Sequence, residues 1–328
     1  MEQCVVRIEN IKKNYSGRPV LKNINFELKP GEILGIIGGS GSGKTTFLHT
    51  MIGFLTPDGG DVKFRQRHLV AGGESSEDIY RSVYKRQREF KNVYGFAAQQ
   101  PSFYEKLTIR ENLEYFGQLY GLTKEALEAN INTLLKLVNL DKSPNLLGKN
   151  LSGGMERRLD IACALIHNPD ILILDEPTAD LDPVLRKSIW SLIERINSKG
   201  TTVVLASHHL NELENLCSRI GIIMEGKIHK IGTPDELKKE YQKSNQIIIQ
   251  SSPGNYSKVS KAITAKLKGK IESQNSEEGQ LVIKTEKPQE VLNDLINIVE
   301  GKGEKILEMK LVKPSLDQVF ISLTEDNK

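Results

Sequence analysis

Residues 38–45 read GGSGSGKT, a string suited to holding a triphosphate. Phosphate oxygens are met by backbone N–H groups, which approach an anion only where side chains are small or missing. Gly38, Gly39, Ser40, Gly41, Ser42 and Gly43 meet that condition without interruption. The spacing G-x-x-x-x-G-K-[ST] then lets Lys44 reach the β- and γ-phosphates and the Thr45 hydroxyl ligate Mg²⁺, with Thr46 adding a contact to the α-phosphate. A merely flexible glycine loop is the bland alternative, and the flanks argue against it. ILGIIG before the loop is too short for a helix and reads as a buried strand. KTTFLHTMIGFL after it suits a helix, whose N-terminal dipole favours anions.

A second group lies in ILILDEP, residues 171–177, where an apolar strand ends in two carboxylates. Ligands of open α/β sheets bind beyond the carboxyl ends of strands, so Asp175 and Glu176 are expected beside the phosphates. Asp175 suits Mg²⁺, through water. Glu176 is then placed to orient or deprotonate an attacking water. Taken alone the acidic pair could simply open a turn before Pro177, but a phosphate loop in the same chain favours the catalytic reading.

The elements that must position these residues follow a recognisable alternation. Short strands are expected over 5–8 and 20–28, a turn at Pro30-Gly31 and a buried strand over 33–38. Residues 63–92 are polar and irregular, with a basic YKRQREFK at 84–91. Helical periodicity runs from about 108 to 168, and apolar strands at 171–174 and 202–206 flank another helix. That order predicts an α/β fold with a parallel sheet between helices. Past residue 236 the texture changes. A lysine-rich linker over 236–245 leads into strand (246–251), helix (255–267), strand (270–274), strand (280–285), helix (287–299) and strand (304–312). The β-α-β-β-α-β order predicts a small α+β ferredoxin-like domain, closed by a short helix at 315–323. The expected division is 1–235, linker 236–245, and an accessory domain 246–328.

Composition narrows the partners. The chain has 328 residues with 45 basic against 42 acidic, a net charge of +3, which is far from the basic excess of a nucleic-acid binder. Its three cysteines, Cys4, Cys163 and Cys217, form neither a metal-ligand spacing nor a disulfide framework, so a reducing compartment is expected. No run approaches the roughly 18–20 apolar residues of a membrane span, and the N-terminus lacks the apolar core of a signal peptide. An intracellular protein with no nucleic-acid partner is the expectation.

LSGGMERRLDIACAL, residues 151–165, together with its distance to Asp175, resembles the signature of ABC ATPases. The resemblance covers roughly residues 3–234. It implies a P-loop NTPase of ABC type, with a RecA-like core, an antiparallel β-subdomain and a helical subdomain. It further implies that Tyr15 stacks on adenine, although a surface aromatic in a turn is the competing reading. Gln99, in AAQQP, resembles the glutamine that contacts Mg²⁺ and the attacking water, with Pro101 favouring it over Gln100. Asp182, in ADLD, resembles the acid of the D-loop. His208, in preference to His209, resembles the histidine that bonds the γ-phosphate. Ser152, Gly153 and Gly154 at a helix start offer a hydroxyl and N–H groups to an anion. In the family this loop completes the site of the opposite subunit. The resemblance therefore implies ATP and Mg²⁺, and an ATP-dependent homodimer or a heterodimer with a related subunit. A separate transmembrane permease and a peripheral place on the inner, cytoplasmic face of the cell membrane go with it.

Met155 in the signature and VKPSLDQVFISLTED at 312–326 resemble the drug exporters of the daunorubicin-resistance type. Residues 65–92 depart from that group, being longer than usual, and read as a solvated excursion. The function implied is the ATP-hydrolysing subunit of an exporter. A non-transport ABC ATPase acting on ribosomes or nucleic acid is the alternative.

Overall fold

The chain opens with two long antiparallel strands, β1 (Val6–Tyr15) and β2 (Arg18–Leu28), joined at Ser16-Gly17, where φ is 49° and 81°. Two left-handed residues give the tight turn whose twist suits a hairpin. One face of β2 is buried through Leu21, Ile24, Phe26 and Leu28. Then come β3 (Ile33–Ile37), α1 (Lys44–Met51), β4 (Gly59–Gln66), β5 (Ile79–Ser82), a single turn α2 (Gln87–Phe90) and β6 (Tyr94–Ala97). Three helices follow: α3 (Ile109–Leu119), α4 (Lys124–Leu137) and α5 (Gly153–Leu165). A reciprocal capping box between Thr108 and Glu111 starts α3, and Thr123 caps α4. The rest of the first unit is β7 (Ile171–Asp175), α6 (Pro183–Asn197), β8 (Thr202–Ala206), α7 (Leu210–Leu216), β9 (Arg219–Met224) and β10 (Lys227–Gly232). This computed structural model describes residues 4–66, 79–208, 210–241, 245–277, 279–312 and 316.

Two sheets result. One is antiparallel, in the order β2-β1-β4-β5, and the other has the order β10-β9-β3-β8-β7-β6. In the second sheet every pairing is parallel except that of β9 with β10. All residues of β3, β7 and β8 are buried, as strands covered on both faces must be. The strand order has a chemical consequence. β3, β8, β7 and β6 are neighbours running the same way, so the segments that leave their carboxyl ends emerge side by side.

The stretch from 79 to 90 differs from the solvated excursion expected of it. Its basic residues mask an apolar inner face. β5 pairs with β4, Val83 is fully buried, and the Tyr84 hydroxyl donates to the Thr50 carbonyl at 2.8 Å. The Phe90 ring lies 5.0 Å from that of Phe64 and 4.8 Å from that of Tyr94, centre to centre. Residues 67–78, with Gly72-Gly73, lie outside the described residues.

The second compact unit is Pro234–Lys328, the first being Met1–Thr233. Where a linker is expected over 236–245, a helix α8 (Pro234–Tyr241) stands instead. Then come β11 (Asn245–Ser252), α9 (Tyr256–Lys266), β12 (Ser273–Glu277), β13 (Gln280–Thr285), α10 (Pro288–Glu300) and β14 (Lys305–Val312). The sheet order β12-β13-β11-β14, antiparallel throughout, is the ferredoxin-like arrangement. Its own core is built from Ile247, Ile249, Val259, Ile263, Leu281, Ile283, Val291 and Leu295. Of the closing helix expected at 315–323 only Leu316 is described, and it is buried. Among the described residues no helix is long and apolar enough to cross a membrane.

Phe90→Ala tests the inclusion of 79–90 in the core. Removing a fully buried ring is expected to lower unfolding stability by about 3–5 kcal/mol, read from urea denaturation. A loss below about 0.5 kcal/mol, the range of a surface change, would contradict it.

Candidate active site

The glycine loop is shaped by close contacts. Gly43 is the N-cap of α1 with φ 103°, and Gly41 has φ 73°, both in the region that disfavours side chains. A Cβ on Gly38 would lie 2.3 Å from the Ile223 carbonyl oxygen and 2.4 Å from Ser42 Oγ. On Gly39 or Gly41 a Cβ would meet nothing within 4 Å. The loop is therefore packed against protein at Gly38 and open at Gly39. Lys44 folds over it, donating to the carbonyls of Gly38 at 2.9 Å and Gly39 at 3.3 Å.

β7 delivers the acids. Asp175 pairs in register with Ala206 of β8, and the Glu176 N–H donates to the Ala206 carbonyl at 2.9 Å. Glu176 itself has φ 48°, a strained setting for a residue with a side chain. Its carboxylate lies 4.0 Å from Lys44 Nζ through Oε1 and 2.8 Å from His208 Nδ1 through Oε2. The structure thus brings Lys44, Glu176 and His208 into one cluster, as their strands' neighbouring ends require.

Asp175 is 2% exposed, and its Oδ1 has no hydrogen-bond partner among the described residues. Burial raises its carboxyl above the ordinary aspartate value. The Thr45 hydrogen bond pulls it down, nearby Glu176 pushes it up, and His49 and Lys44 pull it down. A buried, unpartnered carboxylate oxygen beside a threonine hydroxyl is a donor set that fits Mg²⁺. Among the described residues no three His, Cys, Asp or Glu side chains gather as a metal cage.

The remaining candidates occupy strand ends, helix starts and the first turn of α1. Gln99 is exposed just past the end of β6. Tyr15 ends β1 at 45% exposure, with Lys13 Nζ 5.8 Å from its ring centre. Ser152 and Gly153 are exposed at the start of α5, where Ser152 is the N-cap and makes no side-chain capping bond. Gly154 is buried, and a Cβ there would lie 2.8 Å from Leu185 of α6. Asp182 is the N-cap of α6, its Oδ1 accepting from Val184 N at 2.9 Å and Leu185 N at 3.0 Å. Thr46 continues α1, its carbonyl accepting from the Thr50 hydroxyl at 2.8 Å. His209 lies outside the described residues.

Motif reading passes over two buried charges. Arg157 and Asp160, one turn apart on α5, form an ion pair at 3.2 Å with side chains 7% and 0% exposed. Arg157 donates to the carbonyls of Asp175 and Pro177, both at 2.9 Å, and to that of Ala98. Opposite charges three residues apart usually mark a solvated helix face. The signal that could have found this pair is Asp160, the one charged residue of LDIACAL, residues 159–165.

Known proteins resemble this chain along most of its length. Residues 21–179 match the family described as ABC transporter, and residues 232–324 match the C-terminal domain of DrrA1-3-like ATP-binding proteins. The chain is 30% identical over 324 residues to the linearmycin resistance ATP-binding protein LnrL of Bacillus subtilis (strain 168), spanning 98% of each chain. Among solved structures, cbiO1 from Clostridium perfringens, part of the ABC transporter complex cbiONQ, superposes with a TM-score of 0.63 at 27% identity. The match covers 73% of this chain and 92% of that one. A dimeric ATP-binding cassette in a post-hydrolysis state, bound to ADP and Pi, gives 0.58 at 28% identity, over 70% and 98% of the two chains.

Paired substitutions separate the packed glycine from the open one. Gly38→Ala is expected to destabilise by about 1–3 kcal/mol through overpacking and to weaken binding of an ATP analogue. Gly39→Ala leaves thermal stability unchanged. Equal melting temperatures for the two variants would contradict the loop geometry.

Proposed function

The chain belongs to the ABC transporter family of ATP-binding subunits, and from that premise we propose that it drives an exporter by closing on a second subunit around ATP. It is an ATPase. The observation that supports the hydrolytic reading is the cluster of Lys44, Glu176 and His208 at the ends of three neighbouring strands. In this reading backbone N–H groups from Gly38 to Lys44 and the α1 N-terminus cradle the phosphates, and Lys44 exchanges loop carbonyls for β- and γ-oxygens. Thr46 touches the α-phosphate, and Tyr15 stacks on the adenine. Thr45, Asp175 and Gln99 would hold Mg²⁺. The ion, when bound, offsets charge on the β- and γ-phosphates.

Glu176 orients the attacking water and accepts its proton, while His208, 2.8 Å from that carboxylate, keeps it turned toward the phosphate end. Ser152, Gly153 and Gly154 meet the γ-phosphate of the second subunit, and Asp182 orders the adjoining turn by capping α6. Hydrolysis then removes charge from the joint and lets the subunits part. Homodimers and pairs with a related subunit use the same geometry. Export is favoured by the match of the accessory unit to the DrrA1-3-like C-terminal domain and by the likeness to a resistance protein. A separate permease in the cell membrane, with this subunit peripheral on the cytoplasmic face, completes the assembly.

Glu176→Gln, isolated from native membranes in mild detergent with ATP, tests this. A polytopic membrane protein in stoichiometric amount is expected, with kcat lowered by about 10²–10⁴. Ribosomes or nucleic acid in its place, or undiminished turnover, would contradict it.

A further inference from the structure

Arg157 is 5% exposed, in the first turns of α5, the helix that begins at Ser152. With so little water to face, its N–H groups need protein acceptors. Those acceptors are the carbonyls of Asp175 and Pro177 at 2.9 Å, the carbonyl of Ala98, and the Asp160 carboxylate at 3.2 Å. The first two bracket Glu176 in the chain. The third immediately precedes Gln99. Asp160 turns its other oxygen to the Ser102 N–H and hydroxyl, each at 2.9 Å, and so holds the far side of the Gln99 turn.

A pair of this kind is a weak source of stability. Burial lowers the Arg157 pKa and raises that of Asp160, opposing both charges. Apolar residues of like size often serve as well or better. What apolar side chains cannot do is fix three carbonyls at set places. Glu176 needs such fixing, because its φ of 48° persists only where the surroundings impose it. Its own N–H is tied to Ala206, two residues before His208. β8 therefore holds Glu176 from one side and the Arg157 guanidinium from the other.

We propose that Arg157 is a positioning residue for hydrolysis. From α5 it clamps the carbonyls on both sides of Glu176 and the one before Gln99, and so sets these two side chains relative to each other. The proposal rests on the reading of Glu176 and Gln99 as the groups that handle the water. It also links the two ends of the reaction. The helix that presents Ser152 and Gly153 outward is the helix that holds the subunit's own Glu176 in place, so closure against a second subunit is felt there directly.

The test is steady-state kinetics on two variants. Arg157→Lys keeps a charge beside Asp160 but replaces the planar fork with a single ammonium. Arg157→Met combined with Asp160→Leu removes both charges and leaves no buried ion unpaired, which guards against misfolding. Both are expected to lower kcat by about 10–100-fold, as misplaced reacting groups do. The dissociation constant of a non-hydrolysable ATP analogue changes by less than about threefold, since the phosphate loop is untouched. In a Glu176→Gln background Arg157→Lys lowers the residual rate by less than about twofold, because its effect runs largely through Glu176. Wild-type kcat in the folded double variant, or the full 10–100-fold loss repeated in the Glu176→Gln background, overturns the proposal while leaving the role of Glu176 intact. A wild-type rate for Glu176→Gln alone overturns both.

Discussion

Negative charge gathered in a small space is the constraint on which this fold turns. Asp175 and Glu176 are consecutive, and the proposed substrate brings a triphosphate to the same strand end. Two unit charges 4 Å apart near a protein surface repel by about 4 kcal/mol. Lys44 stands 4.0 Å from Glu176, His208 stands 2.8 Å from it, and the N-terminus of α1 opens beside them. These compensating groups come from strands far apart in sequence. The order β3-β8-β7, with the three strands parallel, delivers them to one end of the sheet. The antiparallel sheet and the helices serve that end by covering the faces of the parallel sheet.

The legible part of the sequence was the part with one dominant physical cause. β3, β7 and β8 read as strands because burial on both faces demands unbroken apolar runs. β6 is YGFA, only half buried, and escapes the same reading. The stretch 79–90 misleads in the other direction. Arg81, Lys85, Arg86 and Arg88 dominate its composition, yet Val83 and Phe90 anchor it. A count of charges cannot see that only a few inward residues decide burial. In the accessory unit the strand alternation and amphipathic helices give the order correctly. The linker expected before it contains α8, whose Leu237 is fully buried.

Site residues follow the same division. Lys44, Asp175 and Glu176 stand in motifs whose chemistry dictates their types. Asp182 was expected through resemblance, and the structure shows what its carboxylate does locally, which is to cap α6. Arg157 and Asp160 were not legible, because their partners are backbone carbonyls and a serine more than fifty residues away in Ser102. Glu304 is a parallel case in the accessory unit. It is 4% exposed and accepts from Ser251 Oγ, Gly254 N and Asn255 N at 2.7–2.8 Å, tying β14 to the turn before α9. Buried acids that accept backbone N–H groups shape turns through partners distant from them in the chain.

The central claim is that each ATP site is finished by the α5 N-terminus of a second subunit. Molar mass in solution tests it most directly, by light scattering on Glu176→Gln and on Glu176→Gln with Gly153→Asp. A side chain at Gly153 has room, its Cβ coming no closer than 3.9 Å to Leu181, and an acid at a helix start is favourable to the helix. The added carboxylate should therefore leave the fold intact and repel only a phosphate brought by the other subunit. With ATP the account predicts twice the 36.7 kDa chain mass for the first protein and a nucleotide-bound monomer for the second. A dimer undisturbed by the added carboxylate would contradict it, and a monomer of the first protein would contradict its homodimeric form.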